Sequence, residues 1–146
     1  MRDGLHALTH DHGELNRRVL DLSALVAAAE PGSDLLDALV ELREELFAHF
    51  AREEEGLFPY ITAELPELAS RVLEMAFVHD TVCGALSRAC HTAERDASRA
   101  QLVALYERFE QAYAGHARAE SDFLEELQTR LTEGQRVQLS ELVAGL

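Results

Sequence analysis

The chain has 146 residues with 27 acidic against 13 basic side chains, a formal net charge of −14. That excludes a nucleic-acid surface, because holding phosphates takes a local surplus of Lys and Arg. Hydrophobic residues at 47% and charged residues at 27% are ordinary globular proportions, the length suits one domain over 1–146, and no apolar run reaches the ~18 residues of a membrane span.

Leu, Ala, Glu and Arg dominate, and only 3 Pro and 8 Gly interrupt them. These side chains lose little freedom in a helix, and no stretch alternates as a strand does. The expected class is all-α, an antiparallel up-down-up-down four-helix bundle with a short C-terminal fifth helix. The first predicted helix runs from about Gly4 to Ala29 and stops at Pro31-Gly32. Its start, Met1 to His12, lacks a basic segment followed by an apolar one, so a cytoplasmic location is expected. Ser33 or Asp34 caps the second helix, which passes through residues 52–55 to about Ala63, and Pro66 marks the next turn. The third covers roughly Glu67 to Ala93 and carries both cysteines, Cys83 and Cys90. Seven helical positions part their backbones by ~10.5 Å, too far for a disulfide, so reduced thiols are expected. Residues 94–98 lead into a fourth helix that reaches about Arg130. Thr132-Glu133-Gly134-Gln135 then reads as a capping box opening the last helix.

Each long helix carries an apolar stripe interrupted by polar residues. The first gives Leu5, Leu8, His12, Leu15, Val19, Leu22 and Val26. The second gives Leu35, Leu39, Leu42, Leu46, His49, Glu53, Gly56 and Tyr60. The third gives Val72, Met75, His79, Val82, Leu86 and Ala89. The fourth gives Leu102, Leu105, Phe109, Ala112, His116, Glu120, Phe123 and Leu127. Spacing by three and four puts each set on one inward face. Counting from the turns at ~1.5 Å per residue, the six polar groups fall within one or two helical turns of one height.

Two carboxylates and four imidazoles buried in one layer would be costly without compensation. A pair of divalent cations supplies the missing charge and takes up their lone pairs. The His-x-x-x-Glu spacing of His49/Glu53 and His116/Glu120 sets imidazole and carboxylate on one helix face, so the carboxylate can reach across two metals. Mixed imidazole and carboxylate donors suit iron or manganese, and no thiolate set argues for zinc. Ferritin-like proteins use Glu-x-x-His pairs, a spacing neither pair has. His10/Glu14 repeats the His-x-x-x-Glu spacing off the stripe, where solvent is expected.

The order His, His-x-x-x-Glu, His, His-x-x-x-Glu on four helices resembles the hemerythrin-like, or HHE cation-binding, domain family. Asp11-His12-Gly13-Glu14-Leu15, the run from His49-Phe50 through Glu53-Glu54 to Leu57-Phe58-Pro59, and Val78-His79-Asp80 carry the likeness further. It spans His12 to Leu131. The resemblance implies two non-haem iron ions joined by an oxo or hydroxo bridge, with Glu53 and Glu120 bridging and His12, His49, His79 and His116 as terminal ligands. It also implies small ligands: oxygen, nitric oxide or peroxide. Oxygen-carrying members have a second histidine on the third helix; the positions one turn either side of His79 are Met75 and Cys83. Carriers also place the last carboxylate as His-x-x-x-x-Asp, where this chain has Glu120 at four. One imidazole fewer leaves a more open metal, which argues against simple oxygen carriage and for sensing, or for turnover of peroxide or nitric oxide.

Other residues carry a blander and a sharper reading. Tyr60 is read as a core tyrosine near the bundle end, with a phenolate ligand or hydrogen-bond donor as the alternative. Cys83 is read as a small buried hydrophobe rather than a redox thiol or soft ligand, and Met75 as packing. His6, His10 and His91 are read as exposed. Glu54 and Glu55 form a solvated face, with Glu54 near enough to accept from a ligand imidazole. Gly115 beside His116 weakens its helix, with close packing or access at the metal as the reason. Three functions stay open: a di-iron protein that binds or senses a small ligand, signalling through a separate protein partner; a di-iron enzyme consuming peroxide; and a metal-free helical interaction module.

Overall fold

The computed structural model describes residues 4–28, 33–95 and 98–145. Its helices are α1 (Gly4–Ala28), α2 (Ser33–Arg52), α3 (Phe58–Glu64), α4 (Ala69–Glu94), α5 (Arg99–Arg130) and α6 (Glu133–Ala144), and no strand occurs among the described residues. α1 packs on α2 and α5, and α4 packs on α2 and α5, closing a four-cornered all-α bundle. The short C-terminal α6 lies against α1. The expected turn at Pro31-Gly32 lies outside the described residues, as does Asp96 between α4 and α5.

Two caps are built as their sequences ask. The Ser98 hydroxyl accepts from the Gln101 N–H at the start of α5. At α6 the Thr132 hydroxyl accepts from the Gln135 N–H while the Gln135 side chain accepts from the Thr132 N–H, the reciprocal capping box.

The second predicted helix is not continuous. A π-helical turn, Glu53–Leu57, joins α2 to α3, and the Phe58 N–H reaches back to the Glu53 carbonyl. Pro59 explains its place. It has no N–H to give the Glu55 carbonyl, and its ring would strike that carbonyl in a regular helix. Widening by one residue relieves the clash. A 3-10 turn, Pro66–Leu68, likewise precedes α4, which therefore starts two residues later than the sequence suggests.

All seven stripe positions of α1 are buried. In α5 the inward face differs from the expected one. Tyr106 and Tyr113 are buried, while Leu105 and Ala112 only pack partly against the core. The tyrosines can sit there because both hydroxyls find partners. Tyr106 donates to the Val19 carbonyl at 2.7 Å and Tyr113 to Asn16 Oδ1 at 2.7 Å. The buried apolar side chains form two clusters. One runs from Leu15, Phe50, Val82 and Tyr113 to the α1–α2 end; the other joins Leu8, Leu57, Met75 and Phe123 to α6. Burying each large side chain contributes roughly 1.5–3 kcal/mol.

Candidate metal centre

Between these clusters each long helix turns a polar residue inward, and the six expected groups meet in one layer. His12 lies between Leu8 and Leu15, His79 between Met75 and Val82, and the His49/Glu53 and His116/Glu120 pairs occupy the same interval. All six are buried, Glu53 and Glu120 completely and His12 the least, at 9% exposed.

The carboxylates sit at the middle. Glu120 Oε1 is 2.7 Å from His12 Nε2 and 3.7 Å from His49 Nε2, while Glu120 Oε2 is 3.6 Å from His79 Nε2 and touches His116 Nε2. Glu53 Oε1 is 3.4 Å from both His49 Nε2 and His79 Nε2, and Glu53 Oε2 is 3.7 Å from His12 Nε2. The groups thus form two tetrads, His12–His49–Glu53–Glu120 and Glu53–His79–His116–Glu120, with donor atoms within 4.8 Å of one another in each. Both carboxylates belong to both tetrads.

Hydrogen bonding within the protein does not satisfy this layer. Both ring nitrogens of His49 and His79, both oxygens of Glu53, His116 Nε2 and Glu120 Oε2 are buried without a hydrogen-bond partner. Native proteins leave few such atoms, and a cluster of this size is what a cation pair would resolve. The donor set of imidazoles and carboxylates suits iron or manganese. The electrostatics agree. Burial alone would raise Glu53, but His12, His49 and His79 outweigh it and hold the carboxyl far below its usual range. Burial also lowers His49, yet Asp11 and Glu53 bring it to about 9, while burial and the neighbouring His79 push His116 down to about 4.

The backing of each imidazole differs. Asp11 Oδ2 lies 3.6 Å from His49 Nδ1 and 3.3 Å from the Arg52 guanidinium. Sequence reading quotes Asp11 only within the family phrase and gives it no role, since it sits off the α1 stripe and has no periodic signal. Glu54 Oε1 is 3.8 Å from His79 Nδ1, close to the expected role but beyond hydrogen-bond reach. Phe50 stacks on His79 with centroids 3.6 Å apart and 6° between planes, and meets His116 edge-on at 5.2 Å. Phe58 covers His79 at 5.5 Å.

The remaining residues mostly take the blander reading. The Tyr60 hydroxyl donates to Gln138 Oε1 at 2.8 Å and the Gln135 carbonyl at 3.1 Å, so it faces α6 rather than the layer. Met75 is buried in the apolar cluster, and burial pushes the half-buried Cys83 thiol up to about 12, well away from a thiolate donor. His6, His10 and His91 are exposed. The close-packing reason for Gly115 fails: a Cβ there would meet nothing within 4 Å. A cleft of about 500 Å³ between α1 and α5, lined by Gly13, Asn16, Ala117 and Ser121, reaches His12.

Among known families, the Hemerythrin HHE cation binding domain matches residues 3–142. Neither the curated proteins nor the solved structures give a match.

Proposed function

The chain belongs to the hemerythrin HHE cation-binding domain family, and from that premise we propose that it holds a non-haem di-iron centre that binds or senses oxygen, nitric oxide or peroxide. In this reading His12 and His49 would hold one iron and His79 and His116 the other, with Glu53 and Glu120 available to both, and 1–146 would act as one domain. The observation that carries it is the pair of buried tetrads sharing two carboxylates, whose lone pairs have no other use. An iron pair held there would supply reversible redox chemistry and coordination positions for small ligands.

The chain's own residues set the conditions for that chemistry. Asp11 sets its charge 3.6 Å from His49 Nδ1, beyond hydrogen-bond reach as Glu54 is for His79, and favours electrostatically the tautomer protonated at Nδ1, whose Nε2 is free to donate to a metal. Phe50 and Phe58 keep water from His79 and fix its plane. The cleft that reaches His12 gives a small ligand a route to the layer from solvent. Free Cys83 and Cys90 fit a reducing, cytoplasmic setting.

A peroxide-consuming enzyme is the second reading. Met75 and Cys83 stand one turn either side of His79, where the resemblance would place another imidazole in an oxygen carrier, so an iron held there would have one protein ligand fewer. The test is metal content and an optical spectrum of aerobically purified protein, followed by peroxide addition with an oxygen electrode. Iron in a two-to-one ratio with an oxo-bridge band in the near ultraviolet is expected. A folded chain that refuses ferrous iron sinks both readings, and oxygen evolution selects the second.

A further inference from the structure

On the outer wall of the bundle, behind His79, α3 and α4 leave an open groove of about 680 Å³. Phe58, Pro59, Ala63, Val72, Leu73 and Ala76 line it, and among the described residues its one charged lining side chain is Glu54. The apolar surface continues along α4. Leu73 and Phe77, one turn apart, are 72% and 74% exposed, more than any other large hydrophobic among the described residues. Single exposed apolar residues are ordinary; a concave apolar surface with a ridge beside it marks a binding site.

Charge decides the occupant. No Lys or Arg lines the groove; its chain neighbours Glu54, Glu55, Glu74 and Asp80 are exposed acids, and the exposed Arg71 beside Val72 is paired with Glu126 on α5. A second copy of a chain with net charge −14 would bring like charges together, which opposes association. An amphipathic helix with apolar residues at i, i+3 or i+4, and i+7, flanked by Lys and Arg, complements both the groove and its rim.

We propose that the α3–α4 groove with the Leu73–Phe77 ridge docks a basic amphipathic helix from a partner protein, and that the docked helix is coupled to the His79 side of the layer. The coupling has a short route. Phe58 lines the groove and also covers the His79 ring at 5.5 Å, and Glu54 lines it with Oε1 3.8 Å from His79 Nδ1. Two residues that line the groove thus lie next to His79, and linkage makes any coupling between the groove and His79 reciprocal. Only this coupling rests on the di-iron reading; the docking surface stands without it.

The experiment titrates the full iron-loaded chain into a fluorescein-labelled Leu/Lys helical peptide with its leucines on one face, following anisotropy. A scrambled peptide of the same composition and a Leu/Glu amphipathic peptide serve as comparisons. The Leu/Lys peptide should bind at least tenfold more tightly than either. The double variant Leu73→Ser, Phe77→Ser should weaken it tenfold or more, whereas Leu20→Ser, at a 67% exposed position on α1, should not. All three sites are exposed, so folding is not at stake, and iron content is measured on each sample. Equal binding by the scrambled or Leu/Glu peptide, or no loss in the double variant, overturns the docking surface. Dimers in sedimentation that the double variant dissolves would give the groove to a second copy and overturn it too. Several-fold different affinity before and after iron removal is expected; equal affinity overturns the coupling. A chain that takes no iron but still binds the peptide through Leu73 and Phe77 separates failure of the metal reading from failure of this one.

Discussion

His12 and His49 stand in polar company, while His79 and His116 are held by aromatic rings. The first pair has Asp11 and Arg52 behind it and a cleft reaching His12. The second pair lies against Phe50, with Phe58 over His79. Both share Glu53 and Glu120. One pair of carboxylates thus serves two environments, one adjustable by charge and one fixed by packing, so two chemically identical ions would differ in exchange and in proton coupling.

The largest effect should come from removing what the halves share. Glu120→Ala or Glu53→Ala should lose at least one iron per chain in metal analysis, with helicity retained. A variant that keeps both irons would break the idea of two halves joined by common carboxylates.

Asp11→Asn should act on one half alone. Loss of the carboxylate behind His49 should weaken iron binding roughly 10–100-fold, read by competition with a chelator. Glu54→Gln, farther from its imidazole and exposed, should do less. Equal losses in the two variants would erase the proposed asymmetry.

Proton dependence gives a third contrast, measured as urea stability of protein stripped with a chelator. His49 sits near 9 when folded against an ordinary 6.5, so its contribution is complete below 6.5 and fades as pH rises through 9. His116 sits near 4, so the unfolded chain takes up a proton that the folded chain refuses, and stability falls as pH drops from 6.5 toward 4. Stability should peak near 6.5 and decline on both sides, and iron loading should flatten the peak. A flat profile in the stripped protein would show that His49 and His116 do not titrate in opposite senses.

Smaller still, Gly115→Ala should stabilise by roughly 0.5–1 kcal/mol, because its Cβ would enter open space in the middle of α5. Thermal unfolding checks it, and destabilisation would mean that the glycine has a packing role. His10→Ala should leave iron content unchanged, since His10 is exposed while His12 lies in the layer. Metal loss from His10→Ala would misplace the first half by two residues.

Much of this was legible because a buried stripe repeats. Every α1 position from Leu5 to Val26 follows the period, and the six polar interruptions stand where an apolar residue was due. The period itself is ambiguous by one residue wherever steps of three and four both land on apolar side chains. In α5 the walk Leu102, Tyr106, Phe109, Tyr113, His116, Glu120 wins over the one through Leu105 and Ala112, because two long-range hydrogen bonds let tyrosines be buried. Asp11, Phe50 and Phe58 stand in the phrases that carry the family likeness, but their parts in the site were not legible. Their roles come from contacts across helices, and nothing in local spacing records which ring will lie on which imidazole.

The π turn after Glu53 has a consequence for how such chains are compared. It adds one residue without adding a full step of helix, so positions before it and after it belong to different frames. The His49–Glu53 interval lies upstream and is untouched, whereas every interval from Glu53 to Phe58, Tyr60 or Ile61 is one residue longer than a regular helix would make it. A relative lacking the turn can be aligned correctly with this chain only by opening a single-residue gap inside Glu53–Leu57, and an ungapped alignment would pair the wrong aromatic with the ring that covers His79.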